Sequence, residues 1–418
     1  MRHVVFLSFV AALGGILFGY DTAVISGTIA AVGAQFHLDA MAKGWYVGCA
    51  LVGSIAGVAV AGWLSDRFGR KPTLLISSIL FSVSALGCMW CAGFADLVNY
   101  RIVGGVGIGI VSIVSPVYIS EISPERVRGL MVGLYQLAIT VGFVLAYLVN
   151  HLLLVNVHVA ELWRVMLGAE AVITLFFFVV IFFIPESPRW LHVRTCGGTF
   201  EKRIPWKELA NPGVVKAMAI GCAIAVLGQF MGVNAVLYYG PEIFANAGFA
   251  AQDSSFATVL VGLVNMFSTV LAIFLIDRIG RKMLIYIGVS IMILCLVAIG
   301  LMFNAHTKWI AFVPAFLVYI FAQAISISAV VFVLLSEMYP NKVRGVAMSV
   351  AGFALWVGTY LVGQFTPWCM ATLGLSGTFF FFAAMCIPYL LIVWRLVPET
   401  MGRTLEEIES YWKPDAAL

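Results

Sequence analysis

Along this chain the charged residues are bunched and the apolar ones run on. Stretches of about 20 apolar residues, long enough to cross a bilayer core, alternate with short connections that carry most of the charge. The pattern predicts twelve spans, at roughly 4–32, 44–65, 72–95, 97–119, 130–152, 163–184, 214–237, 255–276, 283–303, 310–335, 345–368 and 376–397. The boundary between the first two falls around "AQFHLDAMAKG". The first run is longer than the roughly 7–15 residues of a signal-peptide core, and nothing polar follows to mark a mature start. It is read as the first membrane helix, with no separate signal peptide.

Composition agrees. Of 418 residues 62% are apolar and 11% charged, with mean hydropathy +1.03, against roughly 45–50% and about 25% in soluble domains. The predicted class is an all-α integral membrane protein. The net charge of +4 gives no reason to expect nucleic acid. Of the eight cysteines only Cys88 and Cys91 are neighbours, and no other ligands converge on them, so they are read as small apolar helix residues rather than a metal site.

Lysines and arginines choose the side. One set of connections holds eighteen of them, from Arg2 and Arg67 to Lys413, and the opposite set holds Lys43, Lys308 and Arg164. By the positive-inside rule the rich side is cytoplasmic, which puts both termini in the cytoplasm. An even number of spans agrees.

The charged connections repeat. "GWLSDRFGRK" at Gly62 returns as "IFLIDRIGRK" at Ile273, "EISPERVRG" at Glu121 as "EMYPNKVRG" at Glu337, and "PESPR" at Pro185 as "PETMG" at Pro398. The offsets are 211, 216 and 213 residues. The chain therefore reads as a tandem duplication with six parallel spans per half, a transporter plan in which substrate binds between the halves near the midplane. The expected organisation is an N-terminal bundle over 1–184, a cytoplasmic linker over 185–213, a C-terminal bundle over 214–397 and a cytoplasmic tail over 398–418.

Few ionisable residues fall well inside the spans. Asp21 interrupts the first in "LFGYDTAVISG", Arg101 lies in the fourth and Glu170 in the sixth. An unpaired charge there costs at least ~2.5–3.5 kcal/mol, so such residues are functional candidates. At about 1.5 Å per residue all three lie between the midplane and the outer face. A structural salt bridge that makes Arg101 tolerable is the plain reading. The sharper one is a proton-coupling site, in which a carboxylate is ionised beside the guanidinium and takes up a proton when moved away and closed from water.

The seventh span contains "GQFMGVNAVLYYGP", where Gly228, Gly232 and Pro241 weaken the helix and Gln229, Asn234, Tyr238 and Tyr239 supply donors and acceptors. Broken helices beside polar side chains mark midplane transport sites. A sugar has many hydroxyls and no charge, and amides both donate and accept. Plain interhelical hydrogen bonds, worth ~0.6 kcal/mol each, are the alternative.

"GWLSDRFGRK", "EISPERVRG", "PESPRWL", "QFMGVNAVLYY" and "PETMGRTLEEIE" together resemble the signatures of the sugar porter family of the major facilitator superfamily, over essentially the whole chain. The resemblance implies the major facilitator fold, with two pseudo-symmetric six-helix bundles. It implies that Asp66, Arg70, Glu121, Arg128, Glu186, Arg189, Asp277, Arg281, Glu337, Arg344 and Glu399 form a cytoplasmic gate, latching the halves when the protein is open outward. It implies proton coupling at Asp21, Arg101 and Glu170, since uniporter relatives lack the aspartate. It implies sugar contacts at Gln136, Gln229, Asn234, Tyr238, Asn265, Trp356 and Phe332.

The chain also departs from the family pattern. Phe143 stands where a second amide is common, Gly228 replaces the first of a glutamine pair, Phe332 replaces a tryptophan, Ser328-Ala329 replaces a Gly-Pro hinge, and Leu355 stands where some relatives have glutamine. The linker is short for the family, either reduced or with residues between about Arg194 and Ile204 missing from the sequence.

The glycine-rich "RIVGGVGIGI" lies inside the fourth span. It reads as a close-packing surface, like "GSIAGVAVAG", and not as a dinucleotide loop. The histidines, among them His37, His151, His158, His192 and His306, have no nucleophile or metal cluster around them. With no nucleotide-binding domain, ATP does not drive transport. The expectation is a multi-pass membrane monomer, not an enzyme and without cofactor. It imports a monosaccharide or cyclitol with protons by alternating access, and its partners are the sugar, the proton and the lipid bilayer. The alternatives are a facilitative uniporter, a sugar sensor on the same fold, or an exporter, which PESPRWL argues against.

Overall fold

The computed structural model describes residues 2–196, 206–305, 311–340, 343–400, 407–408 and 411–412, without the side chains of Arg2, His3, Glu125, Trp206, Lys207 and Asp277. Twelve helices are long and apolar enough to cross a membrane. They are α1 (Val4–Gly27), α2 (Ala40–Phe68), α3 (Arg70–Trp90), α4 (Phe94–Ile122), α5 (Arg128–Asn156), α6 (Leu162–Ile181), α7 (Pro212–Asn246), α8 (Ala251–Ile276), α9 (Arg281–Asn304), α10 (Phe312–Met338), α11 (Arg344–Thr372) and α12 (Gly374–Leu396).

Each expected span is present, and several run past their apolar stretch. Hydropathy marks the part of a helix that lipid must cover, whereas backbone hydrogen bonding continues to a stop signal. The third and sixth stop short, at Trp90 and Ile181, and so does the first. Its α1 ends in a tight turn over Ile25–Gly27, and a short helix, Ile29–Gln35, follows. Asn150 of α5 fills the break by donating to the Val24 carbonyl at 3.0 Å. A methyl on Gly27 would lie 2.6 Å from that amide nitrogen.

The duplication is visible in the backbone. Gly69 (φ +105°) separates α2 from α3, and Gly280 (φ +93°), 211 residues on, opens α9. Both need the left-handed region that glycine enters freely. At each junction the next residue but one, Lys71 or Lys282, reaches a carbonyl at the end of its own half: Phe182 at 2.9 Å and Val397 at 2.8 Å.

The described chain packs as two compact units. One comprises Met1–Glu201 with Leu237–Met266, the other Lys202–Val236 with Phe267–Leu418. The covalent halves and the packing units thus differ: the last part of α7 and the first of α8 pack with the first unit. Three contacts show how. Tyr147 of α5 donates to the Leu237 carbonyl at 2.8 Å, Lys43 pairs with Glu242 at 3.1 Å, and His151 faces Phe256 with ring centres 5.7 Å apart.

Within the first unit the glycine-rich runs let helices touch. A methyl on Gly105 of α4 would lie 2.0 Å from the Ala50 carbonyl oxygen of α2, and one on Gly53 of α2 would lie 2.2 Å from that of Ile102. These are close-packed transmembrane helices with small residues at the seam. The linker residues 197–205, where the sequence seemed to lack residues, lie outside the described ones.

Candidate functional site

The buried charges of the first unit converge. Asp21 on α1 is fully buried, and Arg101 on α4 and Glu170 on α6 are 2% exposed each. Arg101 donates from Nη1 to the Asp21 carboxylate and from Nη2 to the Asp21 main-chain carbonyl at 3.3 Å. Glu170 interacts electrostatically with both partners. Helix α4 can approach because Gly104 has no side chain: a methyl there would lie 2.4 Å from Ser84 Oγ and 3.8 Å from Asp21 Oδ1.

Counting charge shows what this cluster can do. One guanidinium offsets one carboxylate. A second carboxyl in the same dry space is neutral only when it holds a proton. Asp21 Oδ2, Glu170 Oε1 and Arg101 Nε are buried with no hydrogen-bond partner. The cluster therefore has a spare carboxyl and an idle donor, whereas a plain structural salt bridge would use both.

In the second unit α7 breaks. Its helix runs over Pro212–Phe230 and resumes over Val233–Asn246. Gly232 between them has φ +88°, and a methyl there would lie 2.4 Å from the Phe382 ring. The break is pinned by Tyr319 of α10, which donates to the Met231 carbonyl at 2.7 Å. Across it Gln229 Oε1 accepts from Asn234 Nδ2 at 2.6 Å and from Thr359 Oγ1 of α11 at 3.1 Å. Trp356, one turn before Thr359, is 9% exposed. Two amides and a hydroxyl thus meet across a kink whose Met231 carbonyl is taken by Tyr319 and whose Gln229 carbonyl is taken by the Gly232 N–H.

The repeated charged words build a junction within the first unit. Arg70 grips Glu121 of α4 through Nε and Nη2, both at 2.9 Å, and reaches Asp66 with Nη1 at 3.0 Å. The Glu186 carboxylate sits at the start of α3 and accepts from the main-chain N–H of Arg70 at 2.9 Å and of Lys71 at 3.2 Å. That is the stabilising place for an anion, where helix donors are unpaired and the dipole is positive. The glycine of the motif makes room for it: a methyl on Gly69 would lie 2.2 Å from Glu186 Oε2. Ser187 donates to Glu121 at 2.6 Å, and the Trp190 indole donates to the Asp66 carbonyl at 2.9 Å.

Between α5 and α6 Glu161 accepts hydrogen bonds from Gln35 and Arg164, and these donors hold its carboxyl below the usual carboxylate range.

The family described as "Sugar (and other) transporter" matches residues 7–197 and again residues 196–412, once per repeat. The chain belongs to this family. The transporter is 35% identical to an arabinose-proton symporter of Bacillus subtilis, over 99% of this chain and 96% of that one. It is 35% identical to the D-xylose-proton symporter of Escherichia coli, over 98% and 96%. Among solved structures it superposes on the inward-open xylose transporter of E. coli with a TM-score of 0.86 and 34% identity, covering 98% of this chain and 100% of that one. The transporter is a multi-pass membrane protein and not an enzyme.

The sequence-predicted residues sort into several groups. Asp21, Arg101 and Glu170 come together, as do Gln229 and Asn234, and Asp66, Arg70, Glu121 and Glu186. In the second unit Arg281 Nη2 meets Glu337 at 2.9 Å, and Glu399 accepts from the Thr400 N–H at 2.9 Å. Others take different partners: Arg128 donates to the Ser120 carbonyl at 3.1 Å and Arg344 to that of Tyr339 at 3.4 Å. Arg189 is exposed and meets no carboxylate among the described residues, and the Asp277 side chain lies outside them. The ion pairs that these words form, Arg70 with Asp66 and Glu121 and Arg281 with Glu337, each join helix ends within one unit. Tyr238 (3% exposed) and Asn265 (7%) are buried in the first unit; Gln136 there and Phe332 in the second are exposed. Cys88 and Cys91 are buried, and no group of metal ligands occurs among the described residues.

Sequence reasoning missed Thr359, Ser187 and Trp190. The last two stand in PESPRWL and could have been read as partners of the Asp66 word. Thr359 had no local signal.

Proposed function

We propose that this transporter imports a monosaccharide together with protons, by alternating access, and that it works as a monomer in the cell membrane. The observation that carries the reading is the buried cluster of Asp21, Arg101 and Glu170. It places two carboxyls against one guanidinium, so that one proton sets its charge balance. The named relatives carry arabinose and xylose with protons, which supports a pentose and narrows the earlier choice of sugar or cyclitol to a sugar.

The coupling follows from electrostatics. With the pair intact the Arg101 guanidinium offsets the charge of the Asp21 carboxylate. A conformational step that parts them while closing off water leaves the carboxylate dry and unpaired, and a proton relieves that cost. Sugar binding at the α7 break stabilises one state, so proton and sugar move together. The two repeats of one chain supply all these parts, which supports action as a monomer.

The test is uptake. Addition of D-xylose or L-arabinose to lightly buffered, de-energised cells that express the chain should raise the external pH as sugar enters. Uptake without a pH change would make it a uniporter, and binding without counterflow would make it a sensor.

A further inference from the structure

Helix α10 is not one regular helix. It is α-helical over Phe312–Gln323, widens to a π-helix over Ala324–Ser328, and resumes over Ala329–Met338. Gln323 stands at the entry to the widened turn and is 4% exposed. Its amide nitrogen donates to Ser328 Oγ at 2.8 Å, across the turn. Its carbonyl oxygen is buried with no hydrogen-bond partner. Turning the amide over exchanges the two ends but still leaves one idle.

The neighbours of Gln323 show which way it faces. Four residues earlier Tyr319 donates to the Met231 carbonyl, at the break in α7. Four residues later the Ile327 side chain is the nearest group to Gly228, 3.5 Å from where a methyl on that glycine would be. Residues four apart share a helix face. Gln323 therefore shares the face of α10 that Tyr319 presents to the α7 break. A methyl on Gly228 would make ordinary van der Waals contacts, with Ile327 at 3.5 Å and Tyr389 at 3.8 Å.

Holding the π turn through Ser328 needs only one end of the amide. A buried polar end with no partner is uncommon in folded proteins and calls for an explanation, and π turns recur at functional sites. We propose that Gln323 is a specificity-determining residue whose idle amide end hydrogen-bonds a sugar hydroxyl at the α7 break. The inference rests on the sugar-transport reading and adds to it a contact from α10.

Gln323→Met keeps the length and shape of the side chain and removes both polar ends. Ser328→Ala removes the partner across the turn and keeps the amide. Both are tested by counterflow in proteoliposomes with D-xylose, L-arabinose and their monodeoxy analogues. Gln323→Met should raise KM for the preferred sugar about 3–10-fold with maximal rate unchanged. One monodeoxy analogue, lacking the contacted hydroxyl, should lose no further affinity in that variant. Ser328→Ala should retain the discrimination between sugar and analogue. If Gln323→Met does not reach the membrane, Gln323→Asn, which withdraws the amide by one methylene, carries the same readout. The inference is overturned if wild type transports while the Gln323 variant keeps KM and the analogue ranking. It is equally overturned if Ser328→Ala reproduces the whole effect, which makes the pair a structural brace. Absence of counterflow in wild type would instead count against the sugar-transport reading on which the inference stands.

Discussion

Arg101 of α4 grips Asp21 of α1 by both the carboxylate and the main-chain carbonyl, through separate guanidinium nitrogens. The pair lies in the interior of a membrane bundle with Glu170 beside it. A bond that needed only to make an arginine tolerable would not require a second carboxyl. The proposed proton coupling rests on that second acid.

The ion pairs of the repeated charged words differ in burial, and their removal should differ accordingly. The Arg70 and Glu121 side chains are 5% and 3% exposed, those of Arg281 and Glu337 13% and 23%. Glu121→Gln leaves the buried Arg70 guanidinium with only the half-exposed Asp66 as counter-charge and should destabilise the protein by up to about 3 kcal/mol. Glu337→Gln should cost less, because water screens that pair. Thermal unfolding of the purified variants in one detergent ranks the two, and equal shifts would contradict the argument.

Helix contact in the first unit gives a second contrast. A methyl on Gly105 would lie 2.0 Å from a backbone oxygen that cannot swing aside, while one on Gly62 would meet nothing within 4 Å. Gly105→Ala should therefore lower stability by about 1–3 kcal/mol through overpacking. Gly62→Ala should be neutral or slightly stabilising, since alanine is the better helix former. Yield of monodisperse protein and melting temperature report both.

The charge distribution predicts which face is cytoplasmic. Cys196 is exposed at the end of the short helix Pro188–Thr195, on the side where the lysines and arginines gather. In a variant that keeps only this cysteine, a membrane-impermeant maleimide should label inside-out vesicles and not intact cells. The reverse pattern would invert the topology.

Much of this was legible before any coordinates. Lipid makes each span announce itself as about 20 apolar residues. A charge inside such a span must find a partner, which pointed to Asp21, Arg101 and Glu170 as one group. Gly232 beside two amides indicated the break in α7. What was not legible depends on which helix faces meet. Thr359 reaches Gln229 across 130 positions of sequence. Arg128, at the start of α5, takes the Ser120 carbonyl near the end of α4 rather than a carboxylate. Residues 237–266 pack with the first unit through Tyr147, Lys43 and His151, contacts that no local pattern encodes. The π turn at Ala324–Ser328 carries neither glycine nor proline to signal it.

The measurement that bears most directly on the account is sugar transport by Asp21→Asn in proteoliposomes, assayed in two ways. Counterflow, which requires only binding and the conformational cycle, should persist. Accumulation driven by an imposed pH gradient should vanish, leaving sugar at no more than its external concentration. Undiminished accumulation in that variant would remove Asp21 from the mechanism and contradict proton coupling at the Asp21–Arg101 pair.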